Sequence, residues 1–249
     1  VDEEVLAGGN ASGTVVRVGD TVRKPWTDAT ASVAEFVSAL RTRGIDAPAH
    51  RGRDEQGRQM IEFVPGTLAM EGPRLTGGDL RRVGSMIRGI HDASATYTPP
   101  SDAIWRTAIP APAAEIVCHN DLAPWNLITG QRRVFIDWDA AAPSTRLWDL
   151  AYAAQAFTLS DSERDPDEAA ADLAAFVDGY GADRMLRHGL PRAMEERTAA
   201  MLALLEGARS TGVQPWATMH ADGHGAHWRK ALSYVRAHRT VWSRALSEV

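Results

Sequence analysis

His119-Asn120-Asp121-Leu122-Ala123-Pro124-Trp125-Asn126, with Ile136-Asp137-Trp138-Asp139 beginning ten residues further on, is the stretch from which the rest of the chain is read. It has the form H-x-D-x-x-x-x-N followed by a short apolar run that closes on a carboxylate. Ile116-Val117-Cys118 leads into the first loop and Val134-Phe135-Ile136 into the second, so both sets of polar groups stand where a strand ends. Moving a phosphoryl group needs a carboxylate to orient and deprotonate an acceptor hydroxyl, and oxygen ligands to hold Mg²⁺ against nucleotide phosphates. The 19 residues from His119 to Asp137 offer all of these: Asp121 as base, Asn126 and Asp137 as metal ligands. His119 joins the catalytic group by hydrogen-bonding the loop backbone and fixing Asp121. Polar residues that merely cap strands are the competing reading, and four matched positions with strands in the right places weigh against it.

Working outward, the first 65 residues read as strand, turn, strand, helix and strand. Val15-Val16-Arg17-Val18 and Thr21-Val22-Arg23-Lys24 are β-branched runs joined by Gly19-Asp20, a hairpin signal. Val33, Phe36, Val37 and Leu40 recur at helical spacing, with Glu35 beside that stripe. A two-stranded pattern around Asp54-Glu55-Gln56-Gly57 ends at Met60-Ile61-Glu62-Phe63-Val64, and Pro65-Gly66 breaks the chain. That break divides a lobe at 1–65 from one at 66–249. In the second lobe a helix is expected over Gly77–Ser94 and a Pro-rich connector over Thr98–Pro112, with helical segments near 146–159, 167–180, 191–210 and 224–247. The fold class is α+β, a small β-rich lobe followed by a larger, mainly helical one.

The loop sequence resembles that of the aminoglycoside phosphotransferase and choline kinase group, a branch of the protein-kinase-like fold, and Trp148-Asp149-Leu150-Ala151 resembles the group's D-L-A helix start. Gly8-Gly9-Asn10, the H-N-D-L-A-P-W-N loop and I-D-W-D resemble the small trifolitoxin-immunity-like members of the phosphotransferase enzyme family. The resemblance implies a two-lobed phosphotransferase with ATP or GTP as donor and a small-molecule hydroxyl as acceptor, an aminoglycoside-type antibiotic among the options. It implies Lys24 on the phosphates, paired with Glu35. Arg23 is the rival, and alternation along the strand puts one or the other on the cleft face. Gly9, Asn10 and Ser12 would lie in the phosphate-covering loop, and the segment from Glu62 to Val64 would hydrogen-bond adenine through its backbone. The group mostly carries Gly where this chain has Asn120, and Asn tolerates a left-handed backbone better than most residues.

Composition narrows the alternatives. The 249 residues are 44% hydrophobic and 24% charged, ordinary for a globular protein. With 27 basic and 32 acidic residues, the net charge of −5 disfavours nucleic acid and anionic lipid as partners. The single Cys118 allows no intramolecular disulfide, and no long uncharged apolar run or export signal is present, so a cytoplasmic protein without a membrane span is expected. Only Lys24 and Lys230 are lysines. Asp139 reads equally as a further metal ligand or a loop residue, and Asp149 as a brace for the catalytic loop or a helix cap. His220, Asp222, His224 and His227 match no zinc spacing. The acidic run from Asp161 to Glu168 would attract a cationic acceptor, or simply suit a helix N-terminus. Two rival functions remain: a kinase-like binding or immunity protein that sequesters a ligand or peptide without turnover, and a metal-dependent hydrolase.

Overall fold

In the computed structural model, which describes residues 3–6 and 14–247, Glu4–Val5 (β1) pairs with Val16–Val18 (β2). β2 turns through Gly19-Asp20 into Thr21–Lys24 (β3), the hairpin the sequence predicts. After helix Thr30–Thr42 (α1), strands His50–Arg53 (β4) and Gln59–Glu62 (β5) complete an antiparallel sheet in the order β1-β2-β3-β5-β4. Asp54 closes the β4–β5 turn, its Oδ1 accepting the N–H groups of Gln56 and Arg58. The register sets Lys24 directly opposite Gln59, so their side chains share one face of the sheet.

The chain leaves this sheet after Glu62 and turns at Gly66. The φ of Gly66 is +152°, and a Cβ there would run into Ile128 and the Thr129 carbonyl, so only glycine fits. Thr67–Leu68 (β6) then pairs with a strand of the larger lobe, Leu127–Thr129 (β8), which the sequence reading did not separate from the loop before it.

Gly77–Ser94 (α2) forms as expected, with a capping box between Thr76 and Asp79. The segment from 98 to 115 carries no regular helix or strand and lies against α1, with Ile104 N–H on Ser32 Oγ at 2.9 Å and the Trp105 ring edge-on to Phe36. Ile116–Cys118 (β7) pairs with Ala142–Ser144 (β10), and Val134–Phe135 (β9) with β8. These short strands bring the two polar loops side by side.

Helices make up the rest: Arg146–Thr158 (α3), Pro166–Tyr180 (α4), Arg184–Thr211 (α5), Trp216–Met219 (α6), Gly225–Ala237 (α7) and Arg239–Ser247 (α8). α5 starts earlier than its predicted beginning near 191 because the Asp183 carboxylate caps the N–H of Leu186. The predicted final helix is interrupted at His238, where α7 ends. α2 and α4 cross at glycines: a Cβ on Gly84 would strike the Phe176 carbonyl, and one on Gly179 the Arg81 backbone. Leu80, Val83 and Ile87 of α2 and Leu173, Phe176 and Val177 of α4 are buried in the core that also holds Leu122 from the first loop, Leu127 of β8 and Phe135 of β9. The loops are therefore seated on a packed base, and their geometry is not that of free surface segments.

Candidate active site

The two loops each take their shape from one residue with an unusual backbone. Asn120 has φ 63° and Asp137 φ 60°, both left-handed, a conformation Asn and Asp tolerate because their short polar side chains bond locally. Asn120 uses that turn fully. Its N–H donates to Asp149 Oδ1 at 2.8 Å, and its amide nitrogen donates to the carbonyls of Ala140 and Ala142, each at 3.2 Å. Asn in the usual Gly position thus ties the two loops together.

His119 is fully buried between the loops. Nε2–H donates to the Ile136 carbonyl at 3.1 Å, leaving Nδ1 to accept the Asp121 N–H at 3.3 Å. Burial holds its pKa below the ordinary value, so the imidazole is neutral and its single proton is already used. His119 thereby fixes the backbone at Asp121. The loops are joined once more by Ile136 N–H on the Asn126 carbonyl at 2.8 Å.

Asp121 is gripped at both oxygens. Asn126 Nδ2 donates to Oδ2 at 2.8 Å, and the Tyr152 hydroxyl donates to Oδ1 at 2.8 Å. Asn126 Nδ2 also donates to the Asp121 carbonyl at 2.9 Å, which spends both amide hydrogens and leaves Oδ1 of Asn126 as a spare acceptor. Burial pushes the Asp121 carboxyl up to about 6; the charge of Asp137 adds to this, while the bonds from Tyr152 and Asn126 and the Arg197 cation oppose it. A carboxylate poised there is mostly ionised at neutral pH and basic enough to accept a proton.

Across the cleft stands Lys24, 7% exposed, with Nζ 2.5 Å from Asp137 Oδ1 and 3.1 Å from Asp139 Oδ2. Burial alone would lower its pKa, but the two carboxylates outweigh that and hold it above the ordinary lysine value. Lys24 in turn keeps Asp137 ionised despite its burial. Arg23, the rival, points to the other face of β3 and pairs with Asp54 at 3.4 Å.

Glu35 is a correction to the expected Lys24 partner. It is exposed on α1, and both of the ion pairs of Lys24 go to the larger lobe. Phe36 packs on Tyr97 at 5.2 Å and on Trp138 at 6.0 Å, and this sets the rotation of α1 so that the charge of Glu35 is felt at Tyr97. The Glu62 carboxylate is likewise occupied, accepting from Arg132 at 2.5 Å and from the Ala49 N–H at 3.0 Å, and its own N–H donates to the Ala49 carbonyl at 2.8 Å. Val64 is buried with Ile128 and Val134 at the junction of the lobes. Gly9, Asn10 and Ser12 lie outside the described residues.

Sequence reading missed Tyr152 and Arg197. Tyr152 lies one turn beyond Asp149 on α3, stacked on Trp228 with ring centroids 6.2 Å apart. Arg197 is 6% exposed, its guanidinium 4.3 Å from the Tyr152 ring centroid and 3.4 Å from the Asn120 carbonyl. The signal for Arg197 was present: a charge on the buried stripe Leu190, Met194, Arg197, Met201, Leu205.

Oxygen donors suited to a hard divalent cation are Asp137 and the spare Oδ1 of Asn126. Among the described residues, the one cluster with metal-binding spacing is elsewhere: His91, Cys118 and Asp149, all buried. It is already satisfied, with His91 Nε2 2.9 Å from Asp149 Oδ2 and His91 Nδ1 2.8 Å from the Tyr180 hydroxyl. The acidic run serves α4, whose Asp165 side chain accepts the N–H groups of Asp167 and Glu168.

Comparisons with known proteins bear on the fold. The family model described as "Phosphotransferase enzyme family" matches residues 101–190. The "Trifolitoxin immunity protein" of Rhizobium leguminosarum bv. trifolii is 28% identical, with 99% of each chain covered. Among solved structures, the amicoumacin kinase hAmiN in complex with AMP-PNP, Ca²⁺ and Ami superposes with TM-score 0.70 at 13% identity, covering 94% of this chain and 88% of that one. A microcompartment-associated aminopropanol kinase gives 0.64 at 16% identity, covering 99% and 92%. The fold is the two-lobed kinase-like one, and the resemblance to the aminoglycoside phosphotransferase and choline kinase group stands.

Proposed function

We propose that this protein is a small-molecule kinase that transfers the γ-phosphate of ATP or GTP to an acceptor hydroxyl. The observation that carries the reading is Asp121, fixed at both oxygens and pushed up to about 6, in the same charge field as the Lys24–Asp137 pair. Asp121 orients the acceptor hydroxyl and takes its proton as the oxygen attacks. Lys24, a buried cation at the lobe junction, meets the phosphates of the donor. Asn126 and Asp137 hold Mg²⁺, which when bound neutralises phosphate charge. Glu62 to Val64, where β5 passes to the larger lobe, is the adenine-contacting segment, and Gly9, Asn10 and Ser12 belong to the phosphate-covering loop. The ring of Trp125 stands edge-on to Tyr152 at 6.4 Å, one wall of the acceptor side.

The acceptor is a small hydroxyl compound, an aminoglycoside-type antibiotic among them, since structural neighbours include an aminoglycoside phosphotransferase, APH(2'')-Ib, in its ADP-bound form, with TM-score 0.56. No helix among the described residues is long and apolar enough to cross a membrane. A cytoplasmic enzyme fits a nucleotide donor and a buried, unpaired Cys118. The decisive experiment is an ADP-release screen of the purified protein against aminoglycosides, macrolides, hexoses and choline-like alcohols, with Asp121→Asn as control. Acceptor-dependent release that Asp121→Asn abolishes supports the reading; equal release by that variant overturns it.

The immunity-protein relative favours a second reading, a kinase-like shell that binds a ligand or peptide without turnover. Thermal stabilisation by nucleotide with no ADP release over the whole panel would select it.

A further inference from the structure

The phosphate-binding lysine of a kinase-like site has to be held in position by a carboxylate, a task given in protein kinases to a glutamate on the small-lobe helix. Here that helix is α1, and its Glu35 is exposed. Two carboxylates reach Lys24 instead, Asp137 and Asp139, both from the turn after β9. They are not equivalent. Asp137 is the residue proposed above as metal ligand, and a carboxylate engaged with a divalent cation is a poor anchor for an ammonium group. Asp139 is the one of the two not used as a metal ligand in that reading.

Its surroundings suit a fixed anchor. Asp139 Oδ2 is 3.1 Å from Lys24 Nζ, and its Oδ1 accepts from Gln59 Nε2 at 3.5 Å. Gln59 is buried, is the cross-strand partner of Lys24, and is itself tied to the Pro25 carbonyl at 3.1 Å. Asp139 therefore meets both members of a β3–β5 pair. The turn that carries it, Trp138–Ala140, is pinned by Trp138, whose Nε1–H donates to the Phe135 carbonyl at 3.0 Å and whose ring lies 4.5 Å from that of His119.

Resting on the nucleotide-binding reading above, we infer that Asp139 is the positioning residue for Lys24, doing from the larger lobe what a helix glutamate does from the smaller one. The lysine is then set by contact between the lobes and not by a carboxylate on α1, whose link to the site is the packing of Phe36 on Trp138.

The composition offers a direct probe, because Lys24 and Lys230 are the only lysines and ¹⁵N-lysine labelling yields two ammonium signals. Lys230 is exposed, so a slowly exchanging signal reports Lys24. With Mg²⁺ and AMP-PNP bound, the wild type and Glu35→Gln keep that signal at one position, Asp139→Asn loses or displaces it, and Asp139→Glu restores it. The Asp139 side chain is 37% exposed, so these changes leave the core intact. The Mg²⁺ concentration needed for half-maximal AMP-PNP binding stays the same in Asp139→Asn. Three outcomes overturn the inference: an unmoved Lys24 signal in Asp139→Asn, loss of the signal in Glu35→Gln, or a several-fold rise in the Mg²⁺ requirement of Asp139→Asn, which would make Asp139 a metal ligand. A wild type that binds no nucleotide removes the phosphotransferase reading and this inference with it. A wild type that binds while Asp139→Asn leaves Lys24 unmoved removes the inference alone.

Discussion

The larger lobe contains two clusters built from the same side chains, and they behave in opposite ways. In one, Asp149 accepts from Asn120 and His91, and His91 reaches the Tyr180 hydroxyl; each polar atom has a protein partner and water is excluded. In the other, Asp121, Asn126 and Asp137 are also bonded, yet Asn126 Oδ1 has no partner among the described residues and Asp137 is shared with a cation from the opposite lobe. The first, with Cys118, even has the spacing of a metal site, yet its histidine and carboxylate are already bonded. Saturation separates them: a network with no spare valence is scaffold, and one with an uncommitted acceptor and a displaceable partner can do chemistry.

The sharpest way to break that contrast is to neutralise one carboxylate in each cluster. Asp121→Asn should lower acceptor-dependent ADP release by about 10²–10⁴, the usual worth of a general base, with nucleotide binding retained by calorimetry. Asp149→Ala should act on stability instead, costing about 3–5 kcal/mol in urea unfolding because it strands a buried histidine and the Asn120 N–H. A stable Asp149→Ala variant with selectively lost turnover would erase the distinction.

pH gives the next test. Since Asp121 must be ionised to act and its carboxyl is raised to about 6, kcat/KM should fall tenfold per pH unit on the acid side of a limb near pH 6. Arg197 pulls that carboxyl down, so Arg197→Gln should move the limb to higher pH; a limb unmoved or shifted to lower pH would show that the guanidinium does not act on Asp121.

Tyr152→Phe should have the smallest effect. It keeps the ring stacked on Trp228 and removes one hydrogen bond to Asp121 Oδ1, so a loss of roughly tenfold in kcat is expected, with a melting temperature close to wild type. Unchanged kcat would mean that Asn126 alone orients the base.

These contrasts also mark where sequence reading stops. The strand end at Cys118, the strand at Val134-Phe135 though one residue shorter than read, the hairpin at Gly19-Asp20, α2 and the bracing part of Asp149 were legible, because alternation, turn chemistry and capping act over a few residues. Glu35 was misread because its position beside the apolar stripe left the helix rotation open, and that rotation depends on Tyr97 and Trp105, more than 60 residues away. Tyr152 and Arg197 carried weak signals, a tyrosine one turn past Asp149 and an arginine on an apolar stripe, and their meaning depends on where α3 and α5 cross.

The sequence by itself determined the backbone of the site: an asparagine and an aspartate able to adopt left-handed turns, spaced so that two strands deliver them to one place. Tertiary structure decided the electrostatics, namely which carboxylate holds Lys24, which is pushed toward 6 and which is fully spent. The reason is range. Backbone conformation follows from neighbours within a turn, whereas an ion pair joining residues 24 and 139, or the burial that shifts a carboxyl, exists only once distant segments have packed.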